Sequence, residues 1–86
     1  MNILYKPSFI RQLKKLEPAL QSEALTKIDL FKNRRNHNYL EVHKNKGKLL
    51  GCSSFSVNYK YRIVFEYSSK SVVVLLTIGD HDVYKF

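Results

Sequence analysis

The spacing of apolar residues changes twice along this chain. Asn2–Tyr5 (NILY) reads as a short strand. Lys6-Pro7-Ser8 then opens a helix, with Pro7 or Ser8 in the first turn, where a missing N–H costs nothing. Phe9, Leu13 and Leu16 recur at helical spacing, with Arg11, Lys14 and Lys15 facing away. Pro18 breaks this helix and suits the first turn of a second one. There Leu20, Ala24, Ile28 and Phe31 form a stripe that Leu25 widens. The two together read as a helical hairpin with a basic outer face. Residues 32–47 carry no period, and Asn33, Asn36, Asn38, Asn45 and Gly47 mark a long loop or irregular extended chain. From Leu49 the texture is that of strands. Ser54 to Val57 alternate polar and apolar; Tyr61, Ile63, Phe65 and Tyr67 share one face of a second strand, with Arg62, Val64 and Glu66 on the other. Val72–Ile78 is continuous and β-branched, as in a strand buried on both faces. Asn58-Tyr59-Lys60 and Ser68–Ser71 are hairpin connections. The order β-α-α-β-β-β predicts a single α+β domain over residues 1–86, its helical hairpin packed on one face of a small, mainly antiparallel sheet.

Composition narrows the class. A chain of 86 residues buries about 60% of its unfolded surface, so one small core is expected. Its 44% hydrophobic content is too high for a disordered chain. Val72–Ile78 is far short of a membrane span, and MNILYKP lacks the apolar region of an export signal. The lone Cys52 has no internal disulfide partner and reads as a small packing residue. The expected location is cytoplasmic. Charge changes the picture more: fifteen Lys/Arg against seven Asp/Glu give +8. Between Lys32 and Lys48 lie Arg34, Arg35, Lys44 and Lys46, with His37 and His43, opposed only by Glu41. Such clustering favours a polyanionic partner: nucleic acid, an acidic protein, or both.

Few residues offer chemistry. His37, His43 and His81 are far apart, with no metal-ligand spacing, and no glycine-rich phosphate loop or nucleophile elbow is present. No cofactor is implied. What remains is Arg62 and the terminus GDHDVYKF, residues 79–86. If Tyr61, Ile63 and Phe65 pack on the helices, Arg62 lies on the far face. If its strand pairs with the next as a hairpin, Arg62 comes within reach of His81, just beyond that strand's end. Arg62, His81 and Tyr84 would suit phosphodiester cleavage. A guanidinium clamps phosphate, an imidazole moves a proton near neutral pH, and a phenol orients a group or stacks on a base. The structural alternatives are a solvated Arg62 or one paired with Glu66, a His81 held by Asp80 or Asp82, and a Tyr84 that tucks the terminus onto the core.

The stretches HKNKGKLLGCSSFSVNYKYRIVFEY and VVVLLTIGDHDVYKF resemble the RelE/ParE superfamily of bacterial toxin–antitoxin toxins, close to its RelE/StbE branch. YKPSFIRQLKKLEPALQSEALTKIDLF is similar to that family's helical hairpin, so the resemblance covers nearly the whole chain. It implies a RelE-like fold and an endoribonuclease (mRNA interferase) that cuts mRNA on the ribosome by attack of the 2′-hydroxyl on the adjacent phosphate. It places the family's catalytic arginine on Arg62, its C-terminal histidine on His81 and its terminal aromatic on Tyr84. The RNA-binding stretch falls on Lys44, Lys46 and Lys48, and Glu41 or His43 stands where the YoeB branch has a glutamate. The implied partners are a cognate antitoxin, mRNA and the ribosome. Two other readings remain: a ParE-like inhibitor of DNA gyrase, which needs no catalytic residues, and a non-catalytic binding module.

Overall fold

Pro7 and Pro18 set where the helices begin. In the computed structural model, which describes residues 1–45 and 51–80, each proline is the first residue of its helix: α1 is Pro7–Lys14 and α2 is Pro18–Phe31. Both follow strand β1, Asn2–Tyr5. A one-turn 3-10 helix, Arg34–Asn36, succeeds α2, its start capped by the Asn33 side chain, which accepts from the Arg35 N–H at 3.0 Å. The remaining strands are β2 (His43–Lys44), β3 (Ser53–Ser56), β4 (Arg62–Tyr67) and β5 (Val72–Gly79).

The five strands form one sheet in the order β1-β5-β4-β3-β2. β1 runs parallel to β5, and the other pairings are antiparallel. The predicted α+β class and the mainly antiparallel sheet therefore hold, with β2 added. One sheet face meets the helices. Phe9 of α1 and Ala24, Ile28 and Phe31 of α2 are buried against Phe55, Ile63, Phe65, Val73, Leu75 and Ile78 of the sheet. Phe31 is the hub. Its ring stacks on Phe55 at 4.4 Å and on His37 at 4.7 Å, and meets Phe65 edge-on at 4.8 Å. His37 also places Nε2 2.9 Å from the Phe31 carbonyl, which makes it a packing residue.

Three local expectations are corrected. Leu25 is 49% exposed: Ala24, Ile28 and Phe31 define the buried line, and Leu25 lies about 100° round the helix from Ala24. Within 32–45, where a loop or irregular extended chain is expected, Arg34–Asn36 form the 3-10 helix and His43–Lys44 form β2. Ser54, a polar position of the expected alternation, is fully buried. Val72–Ile78 is not buried on both faces; Val73, Leu75 and Ile78 are buried while Val72, Val74 and Leu76 are half-buried.

That last pattern has a cause in the ladder. Val64 opposes Thr77 but Phe65 opposes Leu75, so Leu76 is an extra residue, a β-bulge. The bulge lets Leu75 and Ile78, three apart, both face the core. It also advances the register by one, so that Arg62 lies opposite Gly79. Gln12 of α1 closes the edge of β5 where β1 stops: its Oε1 accepts from the Ile78 N–H at 3.1 Å and the Thr77 hydroxyl at 2.9 Å.

Candidate functional site

Arg62 opens β4 beside Ile63, which points into the core, so strand alternation sends Arg62 to the face opposite α1 and α2. Across the ladder its neighbours on that face are Ser56 of β3 and Gly79 of β5. Gly79 presents no side chain there. The Arg62 side chain is only 20% exposed, and its Nη2 lies 3.1 Å from Oε2 of Glu41. Among the described residues its Nη1 is shielded from solvent and has no hydrogen-bond partner. The partner considered from sequence, Glu66, is replaced by Glu41 because the turn before β2 folds back over this row.

Glu41 is held from several directions. Ser56 Oγ donates to its Oε2 at 3.2 Å. Its backbone N–H donates to the Asn38 carbonyl at 3.1 Å, and its carbonyl accepts from His43 Nδ1 at 2.9 Å. These contacts sustain a backbone φ of +56°, a left-handed conformation unusual for a residue other than glycine. The Arg62 hydrogen bond first, then the Ser56 hydroxyl and the Arg62 charge, hold the Glu41 carboxyl below the ordinary carboxylate range.

His43 links this turn to the sheet. A carbonyl only accepts, so the imidazole carries a proton on Nδ1 toward Glu41. Its Nε2 lies 3.3 Å from Ser54 Oγ, which donates to Asn45 Oδ1 at 3.2 Å. The result is a carboxylate, a guanidinium, an imidazole and two serine hydroxyls on one sheet face at the ends of β3 and β4. Such a set can clamp an anion and exchange a proton with a bound hydroxyl.

The residues singled out from sequence divide into three groups. Arg62, Glu41 and His43 come together. Lys44 is exposed on β2, and Arg34, from the same basic stretch, is held away from Arg62. Arg34 donates to the Lys70 carbonyl at 2.7 Å, at the β4–β5 turn, which lies about five strand residues or ~17 Å along the hairpin from Arg62. Lys46, Lys48, His81 and Tyr84 lie outside the described residues. Ser56 was missed, although its place next to buried Phe55 puts it on the far face by the period of two. Gln12 was missed because only tertiary packing brings a helix glutamine to Ile78. Burial, reinforced by the charge of Glu66, pushes the Cys52 thiol up, away from reactivity. Among the described residues no helix is long and apolar enough to cross a membrane, and no group of three or more His, Cys, Asp or Glu could hold a metal.

No family model matches the sequence, and no curated protein matches it significantly. Solved structures do. The chain is similar to the toxin–antitoxin complex RelBE2 of Mycobacterium tuberculosis, with 18% identity, a TM-score of 0.71 and coverage of 93% of this chain and 96% of that one. It is similar to the YoeB–YefM complex of Staphylococcus aureus, with 15% identity, a TM-score of 0.72 and coverage of 94% and 97%. The archaeal RelE–RelB complex of Pyrococcus horikoshii shares 17% identity, with a TM-score of 0.72 and coverage of 92% of each chain. The structural neighbours are thus toxins of the RelE and YoeB kind, and at these identities the likeness establishes the fold.

Proposed function

We propose that this protein is the toxin of a type II toxin–antitoxin pair, an endoribonuclease that cleaves mRNA on the ribosome. The observation that carries this reading is the Arg62–Glu41 pair at 3.1 Å, on the sheet face opposite α1 and α2 and beside His43 and Ser56, in a chain of net charge +8. The fold shared with RelE–RelB and YoeB–YefM supports it.

In this mechanism the phosphate of the substrate displaces Glu41 from the guanidinium. Arg62 then neutralises the charge that builds on the non-bridging oxygens as phosphorus becomes five-coordinate. Glu41, relieved of Arg62, becomes a stronger base and takes the proton of the 2′-hydroxyl. The O2′–P bond forms and the P–O5′ bond breaks, leaving a 2′,3′-cyclic phosphate. His81 supplies the proton to the departing O5′, and Tyr84 orients the nucleotide. His43 is a positioning residue that holds the Glu41 turn through its carbonyl. Lys44, Lys46 and Lys48 attract the RNA backbone, and an acidic antitoxin segment would cover the same basic surface.

Primer extension on a message in a translating extract tests this. Cleavage that requires ribosomes and disappears with Arg62→Ala is expected. Intact transcripts alongside blocked DNA supercoiling would replace the nuclease with a gyrase inhibitor.

A further inference from the structure

Glu41 and Ser56 also border a cavity of about 240 Å³ whose other walls include Tyr39 and Tyr59. Both rings stand in water: Tyr59, on the β3–β4 turn, is 94% exposed, and Tyr39 is 68% exposed. Neither ring belongs to the core, whose side of this region is supplied by the buried Leu40 and Val57. The Lys27 ammonium lies 5.3 Å from the centre of the Tyr39 ring, so a cation sits beside the aromatic surface.

Asn58 and Ser56, two of the polar residues of the cavity, are already hydrogen-bonded within the protein. Asn58 donates to Glu23 Oε1 at 2.7 Å, and its Oδ1 accepts from the N–H groups of Lys60 and Tyr61 at 2.9 and 2.8 Å. Ser56 Oγ donates to Glu41, and the Ser56 N–H donates to the Leu40 carbonyl at 2.8 Å. What the cleft offers a ligand is two aromatic faces and a cation, next to the carboxylate that contacts Arg62. A nucleobase, flat and neutral with a phosphate on each side, matches that offer.

The geometry points to a second subsite: Tyr39 and Tyr59 form a stacking platform for an unpaired base of the RNA flanking the phosphate held by Arg62. This rests on the nuclease reading above. Because the amide and hydroxyl are spent internally, the platform contributes affinity and position with little choice among bases.

The test uses a fluorescent single-stranded oligoribonucleotide whose 2′-hydroxyls are methylated, so that it binds and is not cut, alongside message cleavage in a translating extract. Tyr39→Ala and Tyr59→Ala are each expected to weaken anisotropy-measured binding roughly five- to a hundredfold, the span of base–aromatic stacking. Tyr39→Phe and Tyr59→Phe should stay within about twofold, since the ring face is kept. One abasic position in the oligonucleotide should reproduce the loss and cancel the further effect of the alanine variant. Both tyrosines are exposed, so melting temperatures should match the parent. If the parent binds and cleaves and both alanine variants do so equally well, the platform is wrong and the nuclease reading stands. Alanine variants that keep RNA affinity but lose a co-expressed antitoxin would make the face a protein interface and overturn the platform. A parent that neither binds RNA nor cleaves message overturns both readings.

Discussion

Arg62 and Glu41 form an ion pair whose carboxylate side is 65% exposed, and such pairs add little to stability. Their proximity matters more for what it can be exchanged for. Arg62→Ala should lower the rate of RNA cleavage about 10²- to 10³-fold, as loss of a transition-state donor does, while leaving the melting temperature within a few degrees. Arg62→Lys should recover little of the rate, because an ammonium lacks the planar fork that grips two phosphate oxygens. Glu41 carries a pH dependence whose sign is set by its partner. Its carboxyl is lowered from an ordinary value of 4.5 by the Arg62 hydrogen bond, so the folded state holds its proton less tightly than the unfolded chain. The contribution to stability is fully present above pH 4.5 and is lost as pH falls through the lowered folded value. The melting temperature of Glu41→Gln should therefore lie below the parent's at neutral pH and converge on it in acid; a constant gap would mean that Glu41 is not paired in solution.

At the scale of elements, β5 carries the arrangement. The bulge at Leu76 keeps Ile78 in the core and sets Gly79 opposite Arg62; with an unbroken ladder, Ile78 would face Arg62 instead. The free edge beyond β1 is secured from α1 by a single side chain. Gln12→Leu leaves the Ile78 N–H and the Thr77 hydroxyl without their acceptor, at a cost of about 1–3 kcal/mol in urea unfolding. Because β5 leads directly into residues 81–86, the same variant should also slow cleavage. Hydrogen exchange at the Ile78 amide reports the loosening directly, and an unchanged protection factor there would refute the role given to Gln12.

For the whole molecule, stability depends on one aromatic cluster. A chain of 86 residues has roughly 4–13 kcal/mol of net folding stability. Phe31 joins α2 to β3 and β4 through Phe55 and Phe65 and to the following turn through His37. Phe31→Ala should cost about 3–5 kcal/mol, a large share of that stability, seen as a cooperative thermal transition lowered by roughly 12–40 °C. The same cluster anchors the turn that delivers Glu41, so milder variants such as Phe31→Leu should reduce cleavage at temperatures where the protein remains folded.

The amino-acid sequence by itself determined both helices, four of the five strands and the face on which Arg62 stands. Those are properties of local chain geometry: a proline's fixed φ, a 3.6-residue stripe and a two-residue pleat act within a few positions. Tertiary structure decided which residues meet. Glu41 reaches Arg62 from 21 positions away, and Gln12 reaches Ile78 from 66. The two-residue β2 has no period of its own and exists only because Ser53 and Ser54 pair with it. Leu25 lies in water because the sheet ends its contact at the line of Ala24, Ile28 and Phe31. Periodicity tells which way a side chain points. What it points at depends on register, on a bulge and on loop closure, and those are set by the packing of the whole chain.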